Sequence, residues 1–160
     1  MLILGAILLI LFAFLLWREY SSYLKREEAE LTEITRFLRN MRERMMCYLE
    51  LPSAWIGEYS SDVLESVGFL ERIRSGDDVS SAYEGVKKNL LIDPEISDEL
   101  SALFSGLGEG YLDTELVAVD KTVEKLDQAL GRLLPEIKNR SRAAGAVLGA
   151  LAMGAVIMII

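Results

Sequence analysis

Histidine is absent from this 160-residue chain, and cysteine occurs once, at Cys47. Ser-His-Asp relays, thiolate–imidazole zinc sites and internal disulfide frameworks are thereby excluded, which leaves carboxylates, amines and hydroxyls as the available chemistry. No metal or cofactor is expected. An excess of basic residues is missing as well: 17 Lys and Arg stand against 25 Asp and Glu, a formal charge of −8. Phosphate binding needs clustered Lys and Arg, so nucleic acid is not an expected partner. Nor does any stretch alternate apolar and polar residues for long enough to make a half-buried strand. Cys47 falls in an apolar-periodic stretch with Met45, Met46 and Tyr48, where a small buried hydrophobe is expected. An unpaired thiol suits a reducing compartment.

Every charged side chain lies between Arg18 and Arg142, which divides the chain into an apolar segment 1–17, a water-like domain 18–142 and a second apolar segment 143–160. Leu2 to Trp17 is uncharged and, as a helix, about 24 Å long. Trp17 at its inner end suits the headgroup level and Arg18 can snorkel, which offsets part of the shortfall against a hydrocarbon core of about 30 Å. It has no basic stretch before it and no small-x-small site after it, so an uncleaved anchor is expected rather than a signal peptide. Ala143 to Ile160 is about 27 Å long as a helix. It is crowded with small residues: Gly145 and Gly149 stand four apart, as do Ala150 and Gly154, so each pair shares a helix face and admits another helix closely. That helix is either the chain's own first segment, where Gly5 and Ala6 offer a recess, or another membrane protein. Arg18, Lys25 and Arg26 flank the first segment on the domain side, and Lys138, Arg140 and Arg142 the second. The positive-inside rule then puts the domain in the cytoplasm, under a bilayer that both segments cross.

Within the domain, Leu31, Ile34, Leu38, Met41, Met45 and Tyr48 recur at steps of three and four, an apolar helical seam that should end near Glu50 and Leu51, before Pro52. Ser61 or Asp62 caps a helix with Val63, Leu64, Val67 and Leu70 on its apolar face, ending before Ser75-Gly76. Ser81 and Glu84 have capping-box spacing ahead of Tyr83, Val86, Leu90 and Leu91. Asp93-Pro94 opens a helix carrying Ile96, Leu100, Leu103 and Phe104. The run Gly106 to Gly110 then follows a helix and lacks the strand, Lys and Ser/Thr of a phosphate loop, so it reads as a turn. Asp113 is the expected cap of the last helix, where Leu112, Leu116, Val119, Val123, Leu126, Leu130, Leu133 and Ile137 repeat at four and three, with a bend expected at Pro135. The fold class is all-α: an antiparallel bundle of about six helices with a transmembrane helix at each end, its first and last helices paired through their seams.

Acid pairs such as Asp77-Asp78 and Glu27-Glu28 lie in polar runs with nothing around them to bury and perturb a carboxyl, so no catalytic residue is assigned and no small-molecule substrate is expected. The turns Ser75 to Ser81 and Gly106 to Asp113 carry the candidate partner-contact residues Asp77, Asp78, Glu109 and Asp113. The candidate transmembrane packing residues are Gly145, Gly149, Ala150 and Gly154.

The order of the N-terminal anchor, Leu51-Pro52, Ser81-Ala82-Tyr83-Glu84, Phe104 with its glycine-rich turn and Asp113, and an anchor ending in Ile157 to Ile160 resembles the stage III sporulation protein AB family of endospore-forming bacteria. The resemblance runs nearly end to end. It departs where the family pattern has Leu-Gly-x-x-Asp and a Gln four residues on: here Glu109 replaces the Leu and Val117 the Gln. The resemblance implies a component of a sporulation secretion-like channel in the mother-cell membrane, with a soluble domain similar to the cytoplasmic domain of type II secretion and type IV pilus platform proteins. It implies docking of a cytoplasmic secretion-type ATPase and coupling of it to other membrane subunits. From the residues alone, a small regulatory or sensor-like adaptor that dimerises through its heptads and small-residue face is the competing reading.

Overall fold

The computed structural model describes residues 2–48, 55–108 and 110–159. Among the described residues there is no strand. Six α-helices follow one another: α1 (Leu2–Tyr48), α2 (Asp62–Ser66), α3 (Phe69–Arg74), α4 (Val79–Val86), α5 (Pro94–Gly106) and α6 (Leu112–Ile159), with 3-10 turns at Ile56–Glu58 and Lys87–Asn89. The chain divides into two compact units, Met1–Arg26 with Arg132–Ile160, and Glu27–Gly131. Helices α1 and α6 each contribute to both.

Beyond Gly5, no Gly or Pro interrupts α1 for the rest of its 47 residues, so nothing local ends it where the apolar segment gives way to charge. Leu31, Ile34, Leu38, Met41 and Met45 are buried as the seam predicts, joined by Leu24 and Phe37. The expected stop near Glu50 and Leu51 lies outside the described residues. Cys47 corrects the expectation of burial: it is exposed. Two residues beyond Met45 is about 200° around the helix, which turns Cys47 away from the seam.

Local signals set the short helices, with two corrections. Ser61 caps α2 and accepts the Leu64 N–H at 3.4 Å, but the single helix expected up to Ser75 is broken at Gly68, whose φ of 83° is left-handed. At α4 the capping box at Ser81 is not used. The helix starts three residues earlier, capped by Asp78, which accepts the Ser81 N–H at 2.8 Å and the Ser81 hydroxyl at 2.8 Å. Its expected continuation to Leu91 stops at Val86, where the chain tightens into Lys87–Asn89. Asp93 caps α5 with Pro94 at its start, as expected.

The core of Glu27–Gly131 is aromatic. Phe37, 1 % exposed, has Trp55, Tyr59, Phe69 and Phe104 around it at centroid distances of 5.7, 5.2, 5.6 and 6.4 Å. Tyr83 closes the cluster at 5.1 Å from Phe104. A void of about 10 Å³ remains between Ile34, Phe37, Leu64, Phe69, Tyr83 and Phe104, far below the several hundred cubic ångströms of a ligand pocket. Glu30 is buried too, and its carboxylate accepts the Leu91 N–H at 2.5 Å, fastening the strand-like segment before α5 to α1.

Helix α6 runs unbroken through Pro135. Of its apolar seam only Val119 and Leu126 are fully buried within the unit; Leu116 and Val123 are half-buried and Leu112 is exposed.

Candidate membrane-facing and partner-contact surfaces

In the unit of Met1–Arg26 and Arg132–Ile160, apolar side chains face outward. Ile7, Leu8, Ile10, Leu11, Phe12, Phe14 and Leu15 are each about half exposed or more, and Val147, Leu151, Met153 and Ile157 more so. Among the described residues α1 is the one helix long and apolar enough to cross a membrane, and only 6 % of its apolar window is buried. A core helix of a soluble protein is mostly buried, so that figure separates the apolar end of α1 from one. Trp17, Tyr20 and Tyr23 follow the apolar run and are exposed beside Arg18, Lys25 and Arg26, the composition of a headgroup-level belt.

The small-residue face is used at one point. A Cβ on Gly145 would come within 3.3 Å of Trp17 Nε1, so the indole rests against the glycine backbone. At Gly5, where the recess is expected, no described neighbour lies within 4 Å of a Cβ placed there. The same holds at Gly149 and Gly154, and Ala150 is exposed. Three of the four candidate packing residues are therefore open.

In the unit of Glu27–Gly131, ion pairs tie α1 to α6: Arg39 to Asp127 at 2.5 Å, and Arg42 to Asp120. Lys125 reaches Glu99 on α5 at 2.6 Å. The candidate contact acids fare differently from one another. Asp77 pairs with Arg72 at 3.0 Å, and the Arg72 guanidinium lies directly over Gly85 of α4, where a Cβ would meet its Cζ at 2.5 Å. Asp78 is the α4 cap, and the Ser81 amide, followed by the Ser81 hydroxyl, holds its carboxyl below the usual carboxylate range. Glu109 lies outside the described residues. Asp113 is exposed in the first turn of α6 and makes no hydrogen bond or ion pair with a described residue.

The cap expected of Asp113 is replaced by another arrangement. Helix α6 begins one residue earlier, at Leu112, and Glu115 does the work at its entrance. Its carboxylate oxygen accepts the Gly108 N–H at 2.8 Å and the Gly110 N–H at 3.1 Å, and the residue is 8 % exposed. Gly108 has a φ of 88°, which aims its amide into the turn at no steric cost. An acid in the first turn after a glycine-rich run was the available signal. The amides that a phosphate would need are already occupied by the protein's own carboxylate.

Burial pushes the Tyr59 and Tyr83 phenols upward, and the Lys87 ammonium draws Glu84 down. Among the described residues no three His, Cys, Asp or Glu side chains gather where they could hold a metal ion. Comparison with known protein families, with curated proteins and with solved structures finds nothing that matches this chain.

Proposed function

We propose that this chain is a non-catalytic, membrane-anchored adaptor. Its two apolar ends cross the bilayer as a helix pair, and its middle forms an antiparallel helical bundle on the cytoplasmic side that docks a protein partner. The observation that carries the reading is the continuity of α1, one helix of 47 residues that is an exposed apolar rod at Ile7 to Trp17 and the central core element from Leu31 to Met45. A single helix thus carries both the anchor and a core element of the domain. The pairs Arg39 with Asp127 and Arg42 with Asp120, rising on α1 while falling on α6, support the antiparallel arrangement, and the Trp17–Gly145 contact supports two anchors that start at one level.

By its resemblance to the stage III sporulation protein AB family, the partner would be a secretion-type ATPase, coupled through this chain to membrane subunits of a sporulation channel in the mother-cell membrane. The open backbone at Gly149 and Gly154 favours the second reading, a dimerising membrane adaptor. Two measurements test the proposal. Exposed and unique, Cys47 is a native topology probe: a membrane-impermeant maleimide should label it only after lysis, and labelling of intact cells would refute the cytoplasmic assignment. The full chain in lipid nanodiscs should bind the purified secretion-type ATPase of its own organism. Failure to bind at any salt, with dimerisation present, would leave the second reading.

A further inference from the structure

We propose that Tyr111 is the anchor of a docking surface for a soluble protein whose facing surface carries an aliphatic pocket rimmed by Arg or Lys; this rests on the adaptor reading and names its contact. Tyr111 is 87 % exposed, the most exposed large apolar side chain described, whereas Tyr83 is buried in the aromatic core. The fold uses the backbone of Tyr111 and leaves its ring alone. Its carbonyl accepts the N–H groups of Thr114 and Glu115 at 2.9 and 3.1 Å, opening α6. On its other side, the Glu115 carboxylate holds the amides of Gly108 and Gly110. The residue is thus pinned at both flanks while its ring projects into solvent.

That combination is what an interface anchor requires. A tyrosine with two side-chain torsions and hydrogen-bonded backbone on either flank loses little entropy when it is buried, and buried tyrosines rank among the residues that dominate binding energy. The surroundings define the partner. Asp113 is exposed two residues on, and Val117, 67 % exposed, lies one helical turn beyond Asp113 on the same face of α6. Asp120 follows on that side, half exposed with Arg42 beside it. An aromatic with an apolar neighbour and the carboxylates of Asp113 and Asp120 on its side, the first of them unpaired among the described residues, fits a pocket with a basic rim. An anionic bilayer surface would be repelled by the same acids. In a second copy related by a two-fold axis, they would face one another as like charges.

The test is photocrosslinking of the full chain, with Tyr111→p-benzoylphenylalanine, in the organism that makes it; the same replacement at the exposed Glu71 of α3 is the control. A soluble protein should be captured from position 111 and not from position 71, at a peptide combining aliphatic residues with Lys or Arg, as read by mass spectrometry. Once purified, that protein should bind the nanodisc-held chain at least tenfold more weakly after Tyr111→Ala, with an unchanged melting temperature, and Asp113→Lys should weaken it further. If the captured protein is not a secretion-type ATPase, the Tyr111 surface stands and the ATPase reading falls. If a secretion-type ATPase is captured from position 71 alone, the ATPase reading stands and the Tyr111 surface falls. Adducts from position 111 confined to lipid or to a second copy of the chain, no adduct at all, or a Tyr111→Ala affinity within twofold of the parent would overturn the proposal.

Discussion

Replacing Phe37 with Ala removes the ring around which the domain packs. Phe37 meets Trp55, Tyr59, Phe69 and Phe104 within 6.4 Å, and at 1 % exposure it leaves its neighbours no solvent to turn to. Truncating a buried Phe to Ala costs about 3–5 kcal/mol, set by lost transfer energy and by the cavity that cannot collapse. The aromatic pairs add about 0.5–1.5 kcal/mol each in isolation, but they share one ring and do not sum. Against a domain stability of about 5–15 kcal/mol, the change removes roughly a fifth or more, and a melting temperature at least about 12 °C lower follows. The assay is thermal unfolding of the full chain in detergent, followed by fluorescence. In a Trp17→Phe background, Trp55 is the remaining tryptophan, and its emission reports this cluster alone. Phe37→Leu keeps most of the volume and should cost about 1–2 kcal/mol. A Phe37→Ala protein less than about 1 kcal/mol below the parent would refute the idea that this cluster is the core.

Four further outcomes are expected. Leu126→Asp places a charge at a position with no exposed surface and should unfold the Glu27–Gly131 unit, visible as loss of cooperative melting by circular dichroism. Gly145→Val puts a branched side chain where even a Cβ would lie 3.3 Å from Trp17, so Trp17 emission should shift while Trp55 emission, read in the Trp17→Phe background, stays constant. Glu115→Ala leaves the Gly108 and Gly110 amides without their acceptor and should cost about 1–3 kcal/mol, with faster hydrogen exchange confined to the turn between α5 and α6. The phenols of Tyr59 and Tyr83 are raised by burial; the unfolded chain therefore ionises first, at about pH 10. Stability should hold below that pH and fall as pH rises from there through the folded values, and Tyr83→Phe should blunt the fall; an unchanged alkaline profile would refute it.

What could be read from the sequence was whatever a single local rule decides. The α1 seam from Leu31 to Met45, the Ser61 cap and the Asp93-Pro94 start each depend on residues within one or two turns, and each appears in the fold. Where two local signals compete, the sequence does not rank them. Asp78 and Ser81 are both good caps three residues apart, and Asp78 prevails with both of its oxygens on Ser81. Gly68 can sit inside a helix at a cost of about 1 kcal/mol or break it in a left-handed conformation, and it breaks it. Contacts between distant residues left no trace: no periodicity brings Trp17 to Gly145, or makes Phe37 the hub of rings drawn from three other stretches. Cys47 is exposed for a plainer reason: its angle around the helix decides its burial, not its membership of an apolar stretch.

The acids show why net charge is a poor guide to a docking face. Asp77 offsets an Arg72 guanidinium lying on Gly85, and Asp78 and Asp93 cap helices. Glu115 fills the glycine turn, Glu30 fastens a buried amide, and Asp120, Asp127 and Glu99 pair with cations across helices. Each of these carboxylates is engaged within the fold, so a reversal such as Asp78→Lys would lower stability and binding together and could not tell them apart. An exposed pair of this kind contributes little by itself, yet it still fixes where its acid points. Asp113 is the candidate whose charge is uncommitted among described residues, and it stands beside Tyr111, an exposed aromatic that the core of the Glu27–Gly131 unit does not claim. Affinity then rests on the desolvation of Tyr111, with acids steering approach. Salt should accordingly slow association with the partner while leaving its dissociation rate nearly unchanged, whereas Tyr111→Ala should speed dissociation. A Tyr111→Ala variant that slowed only association would place the anchor elsewhere.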